Sequence, residues 1–211
     1  MNISELAEKY NIDKKQFYSD GKTAVRGHNY VALYDKYFEQ YRDKEINILE
    51  IGIAGGFSLE LWADAFPKAK NIIGADKDAS FLSRKFSDPR IQTFYMDQGD
   101  INSIRDMVNK GIEFDIIIDD GSHQSRHMID CFNLLFPLLK WDGIYVAEDT
   151  YQSFHPEYSS YDGNFISFLK EKVDDINWSK NMAKLKNHLD IRSIHFYNEI
   201  VFILKGDCIT Y

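Results

Sequence analysis

The sequence predicts an α/β fold: a seven-stranded, mostly parallel sheet with helices on both faces and an antiparallel hairpin at its C-terminal end. Two patterns predict it. From residue 46 onward, short apolar runs alternate with amphipathic stretches, as a series of βαβ units requires. Near the end, IRSIHFY and IVFILKG are separated only by Asn198-Glu199, which leaves no room for a helix, so these runs must pair antiparallel.

Residues 1–45 read as a helical extension, with SELAEKYN and HNYVALYDKYFEQYRD as its two helices. Tyr30, Tyr34, Tyr37 and Tyr41 recur at helical spacing, and packing against the sheet edge is the simpler reading of them. His28 and Tyr30, at the start of the second helix, are candidates for substrate contact. Residues 46–211 form the main domain. Its strands are INILEIGI, NIIGAD, RIQTFYMD, FDIIIDD and DGIYVAED, each ending in acidic or glycine residues, as buried parallel strands do at their C-terminal ends. Helices are expected at 56–66, 78–86, 100–110 and 125–140. Five βα units closed by a hairpin are the layout of Rossmann-like class I methyltransferases; classical NAD-binding domains lack the hairpin.

Composition narrows the function. The chain of 211 residues is 44% hydrophobic and 15% aromatic, enough for a substantial core in one domain. A net charge of −8 argues against a general affinity for nucleic acid, whose phosphates demand a basic face. Cys131 and Cys208 make neither a zinc framework nor a disulfide scaffold. With no signal-peptide pattern and no apolar run of spanning length, a cytoplasmic protein without a membrane span is expected.

The first strand runs into Glu50-Ile-Gly52-Ile-Ala-Gly-Gly56-Phe-Ser58, directly before a helix. Glycines let the backbone approach a ligand closely, and the helix start at Ser58 supplies free N–H groups. Dinucleotide enzymes use the same device, but Glu50 would repel a pyrophosphate. It can instead orient the ammonium end of an amino-acid moiety, directly or through water. Asp76, ending the second strand, can accept hydrogen bonds from both hydroxyls of a ribose. Asp97 or Gln98, ending the third, can meet an adenine edge, and Asp100 reads as the N-cap of the next helix. Together these strand ends point to S-adenosylmethionine.

The fourth strand ends Asp119-Asp120-Gly-Ser-His123 and the fifth ends Glu148-Asp149-Thr. These strands are neighbours, so four carboxylates and an imidazole converge. Carboxylates so crowded repel unless a cation is present. Hard oxygen donors without cysteine favour Mg2+, with Mn2+ or Ca2+ as substitutes. A metal activates a sugar hydroxyl, and His123 is a suitable base to take its proton. Asp119 lies nearer the donor side, where holding the cofactor loop would suffice. The long aromatic segment TYQSFHPEYSSYDGNF, which begins Thr150-Tyr151, reads as an acceptor lid, with Tyr151 a candidate for substrate contact.

LEIGIAGGFSLELW, GADKD, MDQGD, IDDGSH and EDTYQSFHPEY together resemble the macrocin and mycinamicin family of metal-dependent sugar O-methyltransferases, over roughly residues 25–205. The resemblance implies that Asp120, Glu148 and Asp149 bind magnesium and that His123 is the general base. It implies that Glu50, Asp76 and the Asp97-Gln98 pair hold the donor, and that His28 and Tyr30 lie near the site. Antibiotic-tailoring members carry a large N-terminal auxiliary region, whereas this chain reads as the catalytic domain alone, so its acceptor and any homo-oligomer are left open. Abundant Lys, Asn and Ile point to an AT-rich genome and so toward surface-polysaccharide chemistry. Competing readings are a phenol O-methyltransferase, a nicotinamide-dependent oxidoreductase and a non-catalytic donor-binding subunit.

Overall fold

Isoleucine-rich runs form the centre of the sheet because β-branched side chains suit a pleated surface buried on both faces. The structure, a computed structural model, describes residues 2–10, 12–15, 17–18, 24–159, 163–177 and 189–207. In chain order the elements are α1 (Ile3–Leu6), β1 (Phe17–Tyr18), β2 (Ala24–Arg26), α2 (Val31–Phe38), β3 (Asn47–Ile51), α3 (Phe57–Ala65), β4 (Asn71–Asp76), α4 (Ala79–Leu82) and β5 (Ile91–Tyr95). They continue with α5 (Ile101–Val108), β6 (Phe114–Asp119), α6 (Ser125–Leu135), β7 (Leu139–Ala147), α7 (Phe165–Asn177), β8 (Ile191–Phe196) and β9 (Val201–Lys205). The sheet order is β5-β4-β3-β6-β7-β9-β8. Pairing is parallel from β5 to β7 and antiparallel where β9 inserts between β7 and β8.

Alternation along the strands divides the core into two layers. Ile48, Ile116, Ile118, Ile144 and Val146 pack under α2 and α3, while Leu49, Ile51, Ile117 and Tyr145 pack under α5 and α6. The register aligns Ile51 with Ala75 and Asp119, and Asp119 with Ala147. The residues that follow, Gly52, Asp120 and Glu148, therefore leave the sheet side by side at one edge.

The structure departs from the sequence reading in four places. The N-terminal 45 residues are not only helical, because β1 and β2 form a small antiparallel ribbon. The helix expected at 78–86 stops at Leu82, and beyond it Arg84 reaches the carbonyl of Gly55 and, at 2.7 Å, Glu60. The helix expected at 125–140 stops at Leu135; Pro137 has no N–H to continue the ladder, and a strand takes over at Leu139. The sequence reading placed no helix at 165–177, although Phe165, Ile166 and Leu169 of α7 make a buried stripe.

Candidate active site

The glycine loop after β3 is held by the next strand. Asp76 accepts the N–H groups of Ile53 at 3.0 Å and Ala54 at 3.3 Å through one oxygen, and that of Asp78 through the other. Gly52 has φ +80°, and a Cβ there would lie 2.1 Å from the carbonyl oxygen of Asp120. Gly52→Ala is therefore expected to lower stability by about 2–5 kcal/mol, combining left-handed backbone strain with a clash between two neighbouring strands. Chemical denaturation checks this, and an unchanged midpoint would refute it.

Two cavities flank the loop. One, about 470 Å³, is lined by Glu50, Gly52, Ser58, Asp76, Asp120, His123 and Asp149 among others. The second, about 350 Å³, is lined by Asp76, Met96, Asp97, Gln98 and His127 among others. Gly52, Asp76 and Gly121 belong to both, so the cavities form one trough across the ends of β3, β4, β5 and β6. Gly56 is not part of either wall; at φ +72° it starts α3. Asp119 lies beneath the trough, fully buried, and accepts hydrogen bonds from Gln98 at 2.6 Å and Tyr145 at 2.8 Å. The other end of the Gln98 amide accepts the N–H of Ser122, so Gln98 is fully engaged. Asp100 caps α5 through the N–H of Asn102.

The acidic residues separate into an inner and an outer group. The inner group is Glu50, Asp120 and Glu148, and the Lys14 ammonium sits among them at 3.2, 2.7 and 2.6 Å. Burial alone would push the Lys14 ammonium toward neutrality, but the three carboxylates outweigh it and hold its pKa well above the ordinary value. Burial also pushes Asp120 up to about 6 and Glu148 well above the usual carboxylate range, despite Lys14. Trp62 donates to Glu50 at 2.9 Å, and Tyr34 donates to the same oxygen of Glu148 that Lys14 holds.

The outer group is Asp120, His123 and Asp149, whose donor atoms all lie within 4.8 Å of one another. His123 and Asp149 both have positive φ, +56° and +53°. Such strain in non-glycine residues is found most often at functional sites. The Nδ1 of His123 is buried without a hydrogen-bond partner among the described residues, and its Nε2 lies 3.9 Å from Asp149. Asp149 also accepts the Tyr30 hydroxyl at 2.7 Å, while His28 bridges Asp149 at 3.4 Å and Glu199 at 2.9 Å. Burial, then the Asp149 charge, keep the Tyr30 hydroxyl protonated far above its ordinary range.

The sequence reading missed Lys14, Tyr34 and Glu199. Lys14 stands beside Lys15 in a polar turn, where a lysine pair ordinarily means a solvated face. Tyr34 was read for its ring, which is indeed buried, and its hydroxyl was overlooked. His127, one helical turn beyond His123, bonds Ser122 at 2.8 Å.

The sheet order and the antiparallel insertion of β9 are those of the Rossmann-like class I methyltransferase fold. No model of a known protein family matches the chain. Its similarities to individual proteins are more specific. It is 33% identical to the 8-demethyl-8-alpha-L-rhamnosyl tetracenomycin-C 2'-O-methyltransferase of Streptomyces olivaceus, over 84% of this chain and 50% of that protein. It is 30% identical to the mycinamicin VI 2''-O-methyltransferase of Micromonospora griseorubida, over 97% and 53%. Among solved structures it superposes on the MycE methyltransferase from the mycinamycin pathway in complex with Mg, SAH and mycinamycin VI. That match has a TM-score of 0.80 and 28% identity, covering 98% of this chain and 55% of that one. Over 84–97% of its length the chain is thus similar to macrocin- and mycinamicin-type sugar O-methyltransferases. It spans about half the length of the curated relatives it matches. Among the described residues, no helix is long and apolar enough to cross a membrane.

Proposed function

We propose that this chain transfers a methyl group from S-adenosylmethionine to a sugar hydroxyl with the help of Mg2+, in the making of a glycoside or surface polysaccharide. The observation that carries the reading is the outer group of Asp120, His123 and Asp149, which opens on the same cavity as Glu50, Gly52 and Asp76.

The donor set fits a hard cation. Asp120 and Asp149 offer carboxylate oxygens within reach of each other, and Glu148, whose Oε1 is engaged by Lys14 and Tyr34, adjoins Asp120 in the inner group. Asp120, Glu148 and Asp149 are thus the proposed ligands. The trough fits an adenosyl amino acid, with Glu50 toward the ammonium, Asp76 toward the ribose and Asp97 toward the adenine. Gln98 and Asp119 support the floor beneath it, since their polar groups bond to one another and to neighbouring protein groups.

When bound, S-adenosylmethionine supplies an electrophilic methyl group and Mg2+ lowers the pKa of a coordinated hydroxyl. His123 takes the hydroxyl proton at Nε2, because its Nδ1 is buried. Asp149 is oriented by Tyr30 and His28, and Asp120 is anchored from behind by Lys14, so the reacting groups are held before substrate arrives.

The first test is calorimetric titration with S-adenosylhomocysteine, with NAD in parallel; binding of NAD alone would overturn the reading. A screen of glycosides by mass follows, beginning with L-rhamnosides because the Streptomyces olivaceus relative is named for one. A one-methyl mass gain with Mg2+ that disappears in chelator is expected. Equal turnover in chelator would remove the metal from the proposal.

A further inference from the structure

A third cavity, about 780 Å³, lies on the other side of the His28–Asp149 contact and shares Gly27 with the trough. That volume falls within the roughly 300–1,000 Å³ of small-molecule sites. Its walls include the aromatic residues Tyr151 and Tyr197, the His28–Tyr30 stack, and the polar residues Asn29, Asn198 and Glu199. We infer that it is an acceptor subsite for a second sugar unit, so that the preferred acceptor is an oligosaccharide rather than one sugar on an apolar aglycone.

Three observations support this. Aromatic rings offer flat apolar faces to a pyranose, while amide and carboxylate groups between them can bond its hydroxyls. A fused aglycone would call for a continuous apolar wall, and here Ala32 and Leu33 are the aliphatic contributions. The walls are also fixed in advance. The Tyr197 hydroxyl accepts from Lys36 at 2.8 Å and meets that of Tyr37 at 2.9 Å, and Glu199 is held by His28. Such rigidity lowers the entropy lost on binding. Finally, the position is continuous with the chemistry. A sugar at Asp120, His123 and Asp149 has Gly27, which carries no side chain, between it and the third cavity. The residues concerned come from the start of α2, the segment after β7 and the β8–β9 turn, and apart from Gly27 none of them lines the trough.

The inference rests on the sugar-acceptor reading, and the test keeps the two apart. Methyl α-L-rhamnopyranoside and its α-1,3-linked rhamnosyl disaccharide are titrated into the protein saturated with S-adenosylhomocysteine and Mg2+. The disaccharide is expected to bind about tenfold tighter, which corresponds to ~1.4 kcal/mol. Tyr197→Ala should bring the ratio to within about twofold, as should Asn198→Ala at an exposed turn position. Affinity for S-adenosylhomocysteine should not move. Equal affinity for the two sugars, or no binding of either, overturns the subsite. So does a ratio that survives both substitutions. Methyl transfer to the monosaccharide without any gain from the second unit leaves the function standing and removes only this inference. If no sugar is methylated, the function fails and the binding ratio still decides the subsite.

Discussion

Replacing Lys14 with methionine is expected to lower folding stability by about 3–5 kcal/mol, the usual result of removing one partner from a buried ion pair. Methionine keeps the apolar stem, so the change isolates the charge. Glu50 and Glu148 would then face each other and Asp120 with no ammonium between them, in a site where Lys14 is 2% exposed and both glutamates are no more so. For a chain of this size the loss corresponds to a fall in Tm of roughly 6–20 °C. Thermal denaturation in chelator reads it directly. Adding Mg2+ should narrow the deficit, because a divalent ion binding only the folded state restores positive charge to the same carboxylates. The double variant Lys14→Met with Glu148→Gln should be more stable than the sum of the single effects implies, since the two groups touch at 2.6 Å. An unchanged Tm in the single variant would show that the ammonium is not the counter-charge that holds this cluster.

The same lysine marks where sequence reading reaches its limit. The strand ends were legible because their pattern is local: an apolar run, an acidic residue, a glycine, then a helix. The hairpin was legible because two residues cannot hold a helix, and β8 and β9 pair as that argument requires. Lys14 has no such local signature. Its partners lie 106 and 134 residues away in Asp120 and Glu148, and only the docking of the N-terminal segment on the sheet joins them. The tyrosine comb shows a subtler loss. Helical spacing marked Tyr34, Tyr37 and Tyr41 as packing residues, which the structure buries on the sheet face rather than at its edge, but periodicity reports where a ring points and says nothing of its hydroxyl. Tyr34 and Tyr30 deliver those hydroxyls to Glu148 and Asp149, joining packing to the acidic site. Glu199 was hidden for the opposite reason. It sits in a two-residue turn, where an acidic residue is ordinary, and its link to His28 spans 171 positions.

His123→Ala is expected to reduce kcat about 10²–10⁴-fold, the range over which a positioned general base accelerates proton transfer. In barrier terms that is roughly 3–5.5 kcal/mol. The imidazole has two conceivable employments, because it belongs to the outer group that could hold a metal as well as to the wall of the donor cavity. Kinetics separates them. A base lost from the reaction leaves the Mg2+ concentration for half-maximal activity unchanged and depresses kcat at every Mg2+ level. A ligand lost from the metal raises that concentration, and saturating Mg2+ restores much of the rate. The geometry favours the base: two carboxylates already flank the site, while the imidazole, held at positive φ with Nδ1 buried, presents Nε2 to the cleft. The size of the effect also discriminates between acceptors. A phenol ionises far more readily than a sugar hydroxyl and depends less on a base, so a loss of only a few-fold would point away from sugars. A loss of several hundred-fold at unchanged Mg2+ dependence is the result that a sugar O-methyltransferase with His123 as its base must give.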